Sequence, residues 1–323
     1  GTASPNFPTT QGTISPNRPG GIDGFLTHIN PQGTGLVSST YIGTALYDQC
    51  YFVEIDQDGD VYIVGQTEGN FLRTPGVWSS GTSGQFIQKF DPDLSIIHYS
   101  TVFGNGNGVS ISPTAFLVDV CEYVYVSGWG GATNFQGNTL GLPTTPNAIQ
   151  QSTDGSDLYL IVLQDDAVAL NFATFMGGSQ SNEHVDGGTS RFSKHAEVYQ
   201  AVCAGCWNNS DFPTTPGAYS PTNNAGQGGC NLACFKMDLE LEGIVADFQP
   251  VPALGGCAPH SVQFQNQSTG GVSFTWNFGD PGSGGANVAS TYNASHTFQN
   301  PGTYLVMLIV SDPNSCNGLD TSY

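Results

Sequence analysis

The densest set of side chains able to do acid–base chemistry is Glu183-His184-Val185-Asp186, with Arg191 following. An imidazole among carboxylates can move a proton near neutral pH or ligate a metal. His184 and Asp186 are therefore the best catalytic candidates in the chain. No nucleophile motif, second histidine at ligand spacing or phosphate-binding loop accompanies them. A buried hydrogen-bonded network between repeats is the plainer role, and a non-enzymatic chain is expected.

Cys203-Ala204-Gly205-Cys206 has a redox or zinc spacing, and Cys230 with Cys234 could complete a zinc site. Thioredoxin-type chemistry needs a helix N-terminus after a strand, whereas this segment reads as a strand end in a β array. An even count of eight cysteines in a weakly charged composition favours disulfides over zinc. Cys203, Cys206, Cys230 and Cys234 are expected to be oxidised, with the pairing open. Cys50 and Cys121 have no evident partner.

Asp56, Asp58 and Asp60 alternate around Gly59 and invite a calcium reading. An EF-hand-type loop needs a bidentate Glu at its twelfth position, where Thr67 stands. A hairpin turn with solvated carboxylates fits better, so no metal site is assigned. No cofactor is indicated, although so acidic a surface could hold calcium elsewhere. Trp78, Trp129 and Trp207 are the aromatic candidates for ligand contact, Trp129 within Gly128-Trp129-Gly130-Gly131, each against an alternative of packing. Trp276 reads as core.

These groups are carried by a repeat. Phe7-Pro8-Thr9-Thr10 returns as Phe71-Leu72-Arg73-Thr74, Leu142-Pro143-Thr144-Thr145 and Phe212-Pro213-Thr214-Thr215, at intervals of roughly seventy residues. Strand-like runs follow each copy. The first is Gly24 to Asn30, Gln85 to Asp91 and Leu158 to Leu163, alternating apolar and polar in the first two. The next is Ser39 to Gly43, Ser100 to Gly104 and Ala173 to Gly177. A hairpin, Tyr51 to Ile55 and Val61 to Val64, closes over Asp56 to Asp60, where Asp-Gly suits a tight turn. Four antiparallel strands per unit followed by a crossing loop is the plan of a β-propeller blade. With Gly65 to Phe71 read as the passage from blade to blade, residues 1–244 hold three full blades plus partial ones. A ring needs about four to eight, so its completion is expected from sequence not present here.

The 323 residues include only six Lys and Arg against 26 Asp and Glu, a net charge of -20. That balance opposes nucleic acid and anionic membrane surfaces. No run approaches the ~18 apolar residues of a spanning helix, so no membrane insertion is expected. Low charge density and 43 glycines suit a secreted or surface β protein.

Pro250, Pro252 and Gly255-Gly256 mark a junction. Residues 245–323 read as a small Ig-like sandwich lacking its final strand, and the overall class is all-β. Cys257 and Cys316 bracket it and are expected to pair, removing about 4 kcal/mol of unfolded-state entropy.

Two family resemblances rest on these residues. Residues 1–244 resemble the SBBP-type β-propeller repeat through Asp211-Phe212-Pro213-Thr214-Thr215-Pro216-Gly217-Ala218-Tyr219 and the hairpin Asp56 to Gly65. The second copy departs from it at Leu72-Arg73, and the third lacks the hairpin Asp-Gly. Residues 245–323 resemble a PKD (polycystic kidney disease) domain, with Trp276-Asn277-Phe278-Gly279-Asp280, His296-Thr297-Phe298 and Gly302-Thr303-Tyr304 in order. The pairing is similar to large secreted surface proteins of gliding-type Bacteroidetes. It implies type IX secretion and an extracellular or cell-surface location. The expectation is a non-enzymatic, adhesin-like scaffold meeting surface glycans, envelope or secreted proteins, and the remainder of its own longer chain. The alternatives are the non-catalytic flank of a large secreted hydrolase and a subunit of an extracellular filament.

Overall fold

The computed structural model describes residues 1–131, 137–185, 190–193, 197–239, 243–252 and 255–323. It is all-β, with 41% strand and 4% helix. The chain divides into two units, 1–193 with 198–237, and 238–323 with 194–197.

In the first unit β1 (Gly24–Ile29) and β2 (Leu36–Ile42) form an antiparallel pair. A four-stranded sheet follows in chain order: β3 (Asp48–Ile55), β4 (Val61–Thr67), β5 (Gly84–Phe90) and β6 (Ile97–Phe103). The next holds β7 (Ser112–Val118), β8 (Val124–Trp129), β9 (Leu158–Leu163) and β10 (Leu170–Met176). A three-stranded sheet contains β11 (Ser190–Phe192), β12 (Glu197–Ala204) and β13 (Asn231–Asp238). Gly59 turns the β3–β4 hairpin at φ 90°, as the Asp-Gly pair requires.

The phase of the repeat differs from the sequence expectation. Gly65 to Phe71 was to lead from one blade to the next, yet β4 pairs with β5 across it, from Val61↔Phe90 to Thr67↔Gly84. Each four-stranded sheet joins the hairpin of one sequence unit to the first two strands of the next. The reason is burial. Every residue of β4, β5 and β9 is buried, so these strands need neighbours on both sides and covered faces.

The recurrent threonine is a clamp. Thr10, Thr74 and Thr145 donate their backbone N–H to Ser39, Ser100 and Ala173 carbonyls at 2.9, 2.9 and 3.1 Å. Their hydroxyls accept the same residues' N–H at 2.8, 3.1 and 3.2 Å. Each loop is thus pinned to the last strand of its sheet, satisfying donors that would otherwise lack partners. Between the four-stranded sheets, Tyr62, Val64, Phe103, Tyr159 and Phe175 build the main core.

The second unit contains β14 (Phe248–Val251), β15 (His260–Asn266), β16 (Ser273–Asn277), β17 (Val288–Ala289), β18 (Ala294–Phe298), β19 (Met307–Ser311) and β20 (Leu319–Ser322). The sheets β14-β15-β18 and β17-β16-β19-β20 form an Ig-like sandwich. Trp276 is fully buried and donates Nε1–H to the Thr291 carbonyl at 2.9 Å. Phe248 and Phe264 pack on it with ring centroids 5.2 and 5.8 Å away.

The expected Cys257–Cys316 bridge is not formed, because Cys257 is an exposed thiol. It precedes β15 in one sheet, whereas Cys316 lies between β19 and β20 of the other. Cys316 is itself engaged in a disulfide with another cysteine, which leaves Cys257 without it. Bracketing a domain in sequence does not decide which sulfurs meet.

Candidate functional site

Three groups of side chains gather chemistry, all in the first unit. The first lies where β12 ends. His184 and Cys203 exchange backbone hydrogen bonds at 3.2 and 2.9 Å, and the Trp129 ring centroid is 5.9 Å from that of the imidazole. Asp186 lies outside the described residues. A ring nitrogen of His184 and the sulfurs of Cys203 and Cys206 fall within 4.8 Å of one another. Cys206 and Cys230 are joined, with S–S 2.14 Å and Cα–Cα 4.1 Å.

Cys203 and Cys234 keep their thiols, so oxidation of all four cysteines is corrected to one bridge. Pairing follows position along the hairpin. Cys206 and Cys230 stand just beyond the paired ends of β12 and β13, while the Cys203 sulfur is directed at His184 and Cys234 is exposed.

The second group is a buried carboxyl pair missed in the sequence. Asp157 and Glu183 are both fully buried. Glu183 accepts from the Gly178 N–H at 3.2 Å and from the Ser181 hydroxyl. Burial pushes its carboxyl up to about 8, with the nearby Asp157 charge adding to the shift against the Ser181 and Gly178 hydrogen bonds. Burial likewise lifts Asp157 to about 6. Gly177 makes the pair possible, since a Cβ there would stand 1.8 Å from Asp157 Oδ1 and 2.7 Å from Glu183 Oε2.

Asp23 and Asp48 repeat the arrangement beneath Gly43, both buried and both raised first by burial. Glu183 sat in the singled-out cluster, but its partner lies in a distant loop. The available signal was an acid just before β1 and again just before β9.

The pair makes stability pH-dependent. The folded chain retains a Glu183 proton that the unfolded chain, with an ordinary value near 4.5, releases. Its contribution is therefore complete below about pH 4.5 and lost as pH rises towards 8. Calorimetry should show the first unit weakening by on the order of 2–4 kcal/mol across that window. Glu183→Gln should flatten the profile, and an unchanged slope in that variant would contradict the assignment.

The third group surrounds Lys89. Its ammonium lies 2.5 Å from Glu122 and 3.4 Å from both Asp56 and Asp60, over the Tyr62 ring. Burial alone would lower the lysine pKa, but the Glu122 hydrogen bond and the three carboxylates outweigh it and hold the ammonium charged. Asp56 also accepts the N–H groups of Asp58 and Asp60 at 3.1 and 2.9 Å. The alternating aspartates thus form a turn fastened by a buried cation, and only Asp58 faces solvent. Beside it opens a cleft of about 570 Å³ lined by Asp60, Lys89, His98, Tyr99 and Asp166. The Tyr99 hydroxyl there is buried and makes no hydrogen bond.

Of the three tryptophans, Trp78 packs on the main core and its backbone N–H donates to the Ala167 carbonyl at 2.8 Å. Trp129 packs beside Val185 and Val202. Trp207 is 69% exposed.

Comparison with known families matches residues 246–323 to the PKD domain and residues 39–71 to the β-propeller repeat. The chain carries a β-propeller repeat followed by a PKD domain. No curated protein matches the chain. The matched repeat runs from β2 through the β3–β4 hairpin to Phe71, so it ends on the loop that the clamp threonine fastens. In the PKD domain the Trp-Asn-Phe-Gly-Asp motif ends on Asp280, whose Oδ2 is 2.9 Å from His296 Nε2. The imidazole stacks on Phe278 with centroids 4.6 Å apart, so the two hallmark segments close one buried polar contact. PKD and β-propeller repeat domains fit a non-catalytic extracellular region, and the disulfide suits a secreted protein. Among the described residues no helix is long and apolar enough to cross a membrane.

Proposed function

We propose that this chain is a non-enzymatic docking and spacing segment of an adhesin-like protein at the cell surface, and that it engages glycans. The observation that carries the reading is Trp207. Its indole is 69% exposed on a turn where Trp207 and Asn208 have φ 63° and 67°. The Cys206–Cys230 bridge anchors this turn, Asn208 accepts the Gly228 N–H at 3.0 Å, and Asn223 donates to the Gly205 and Gly229 carbonyls.

A large aromatic side chain on a fastened turn loses little backbone entropy on binding and offers its π surface to the C–H face of a sugar ring. The surplus of acidic residues directs the protein away from nucleic acid and towards neutral ligands.

Affinity electrophoresis through gels holding laminarin, mannan or xylan tests the reading. Retardation by at least one glycan is expected, weakened about tenfold in Trp207→Ala. Migration unaffected by all three, or retardation indifferent to Trp207→Ala, would refute glycan docking through this indole.

A further inference from the structure

The cluster at the end of β12 can do more than hold a disulfide. One His184 ring nitrogen and the sulfurs of Cys203 and Cys206 lie within 4.8 Å of one another. Around tetrahedral zinc, with Zn–S about 2.3 Å and Zn–N about 2.0 Å, donors stand roughly 3.3–3.8 Å apart. Closing these three on an ion takes about one ångström of side-chain movement by that measure. The fourth ligand is the Cys230 sulfur, which stands outside that group, is bonded to Cys206, and is released by reduction to turn in towards the other three.

The donors come from separate stretches that are already tied together. His184 is fixed to Cys203 by two backbone hydrogen bonds, Cys206 follows at C-x-x-C spacing, and Cys230 leads into β13. Val185, Val202, Ala204 and Trp129 pack around this end of the sheet. An apolar shell limits water and favours thiolate ligation. Three soft sulfurs and an imidazole select zinc over calcium or magnesium.

We propose that in the reduced chain His184, Cys203, Cys206 and Cys230 hold one zinc ion, which the Cys206–Cys230 bridge excludes. Binding displaces the proton of each coordinating thiol. Oxidation joins the Cys206 and Cys230 sulfurs. Their two electrons pass to the disulfide of a thiol–disulfide carrier, which takes up two protons and leaves as a dithiol. Cys203 and His184 then remain as two ligands, too few for a structural site, and the metal departs. The same residues give a metal-closed form before oxidation and a covalently closed form after it. Cys234 is exposed and, unlike Cys230, not tied to Cys206, so the zinc set differs from the four cysteines that spacing alone suggests.

The whole chain, reduced anaerobically with a phosphine and titrated with cobalt(II), tests the proposal. One equivalent of tetrahedral cobalt–thiolate absorption is expected, displaced by zinc and absent from the oxidised protein. Cys203→Ser and His184→Ala should each weaken zinc at least about tenfold. Cys234→Ser should not change it. In the reduced wild type, zinc should protect Cys203, Cys206 and Cys230 from N-ethylmaleimide while Cys234 and Cys257 are labelled. This measurement needs no variant to fold. Absence of the tetrahedral bands, or equal labelling of the three cysteines with and without zinc, would overturn the proposal.

Discussion

Trp276→Ala is expected to unfold the PKD domain. The side chain is fully buried between two sheets, packs on Phe248 and Phe264, and spends its N–H on the Thr291 carbonyl. Truncation removes the largest apolar area in the sandwich and leaves a cavity that its rigid neighbours fill only in part. It also strands the Thr291 carbonyl. Buried Trp-to-Ala changes cost about 3–5 kcal/mol, against a total of about 5–15 kcal/mol for an ordinary domain. Amide exchange followed by mass spectrometry should show β16 and β19 losing protection. Trp276→Phe should retain most of the packing and an intermediate protection. Undiminished protection in Trp276→Ala would mean that the indole is not the keystone of this core.

Lys89→Met should have the largest effect in the propeller repeats. The stem of the side chain would be replaced by one of similar length, but Asp56, Asp60 and Glu122 would lose their shared cation. Removing one partner from a buried ionic cluster leaves uncompensated charge, worth about 3 kcal/mol here because Glu122 is partly solvated. The loss has a signature that simple misfolding lacks. It should be relieved by removing an acid as well as the base. Glu122→Gln added to Lys89→Met should cost less than the sum of the single changes, since the residues share one network. Strict additivity in thermal unfolding would show that the ion pairs contribute nothing.

The legible part of the fold was whatever is written locally. Period-two alternation in Gln85 to Asp91 gave β5, and Asp-Gly gave the β3–β4 turn. The recurring threonine announced a repeat whose chemical reason, a paired backbone clamp, emerged from the hydrogen bonds at Thr10, Thr74 and Thr145. The Trp-Asn-Phe-Gly-Asp run gave the PKD domain, and burial of Trp276 followed from it. The phase of the blades was not legible. Phe71 to Thr74 looks the same whether the loop joins two sheets or two strands of one sheet.

Among the site residues, sequence singled out His184 but could not give it Cys203 and Cys206 as neighbours at ligand distance. It paired Cys257 with Cys316 from their places in the chain, while Cys257 is left an exposed thiol and Cys316 is bonded elsewhere. It left Trp78, Trp129 and Trp207 equivalent, and packing separated them into two half-buried rings resting on core clusters and one exposed face. The aspartates of the β3–β4 turn looked like solvated or metal-seeking groups until Lys89 arrived from β5.

Composition and short-range pattern determined the all-β class, the acidic surface, the repeat and the order of the two domains, because each depends on residues close in the chain. Which strands share a sheet, which sulfurs meet, and which carboxylates are buried together depend on contacts between residues dozens of positions apart. Those contacts are selected by burial on both faces of β4, β5 and β9 and by closure of the cores, energies that no local pattern contains. Tertiary structure alone therefore decided that His184 belongs with cysteines, that Glu183 belongs with Asp157, and that Trp207 faces water.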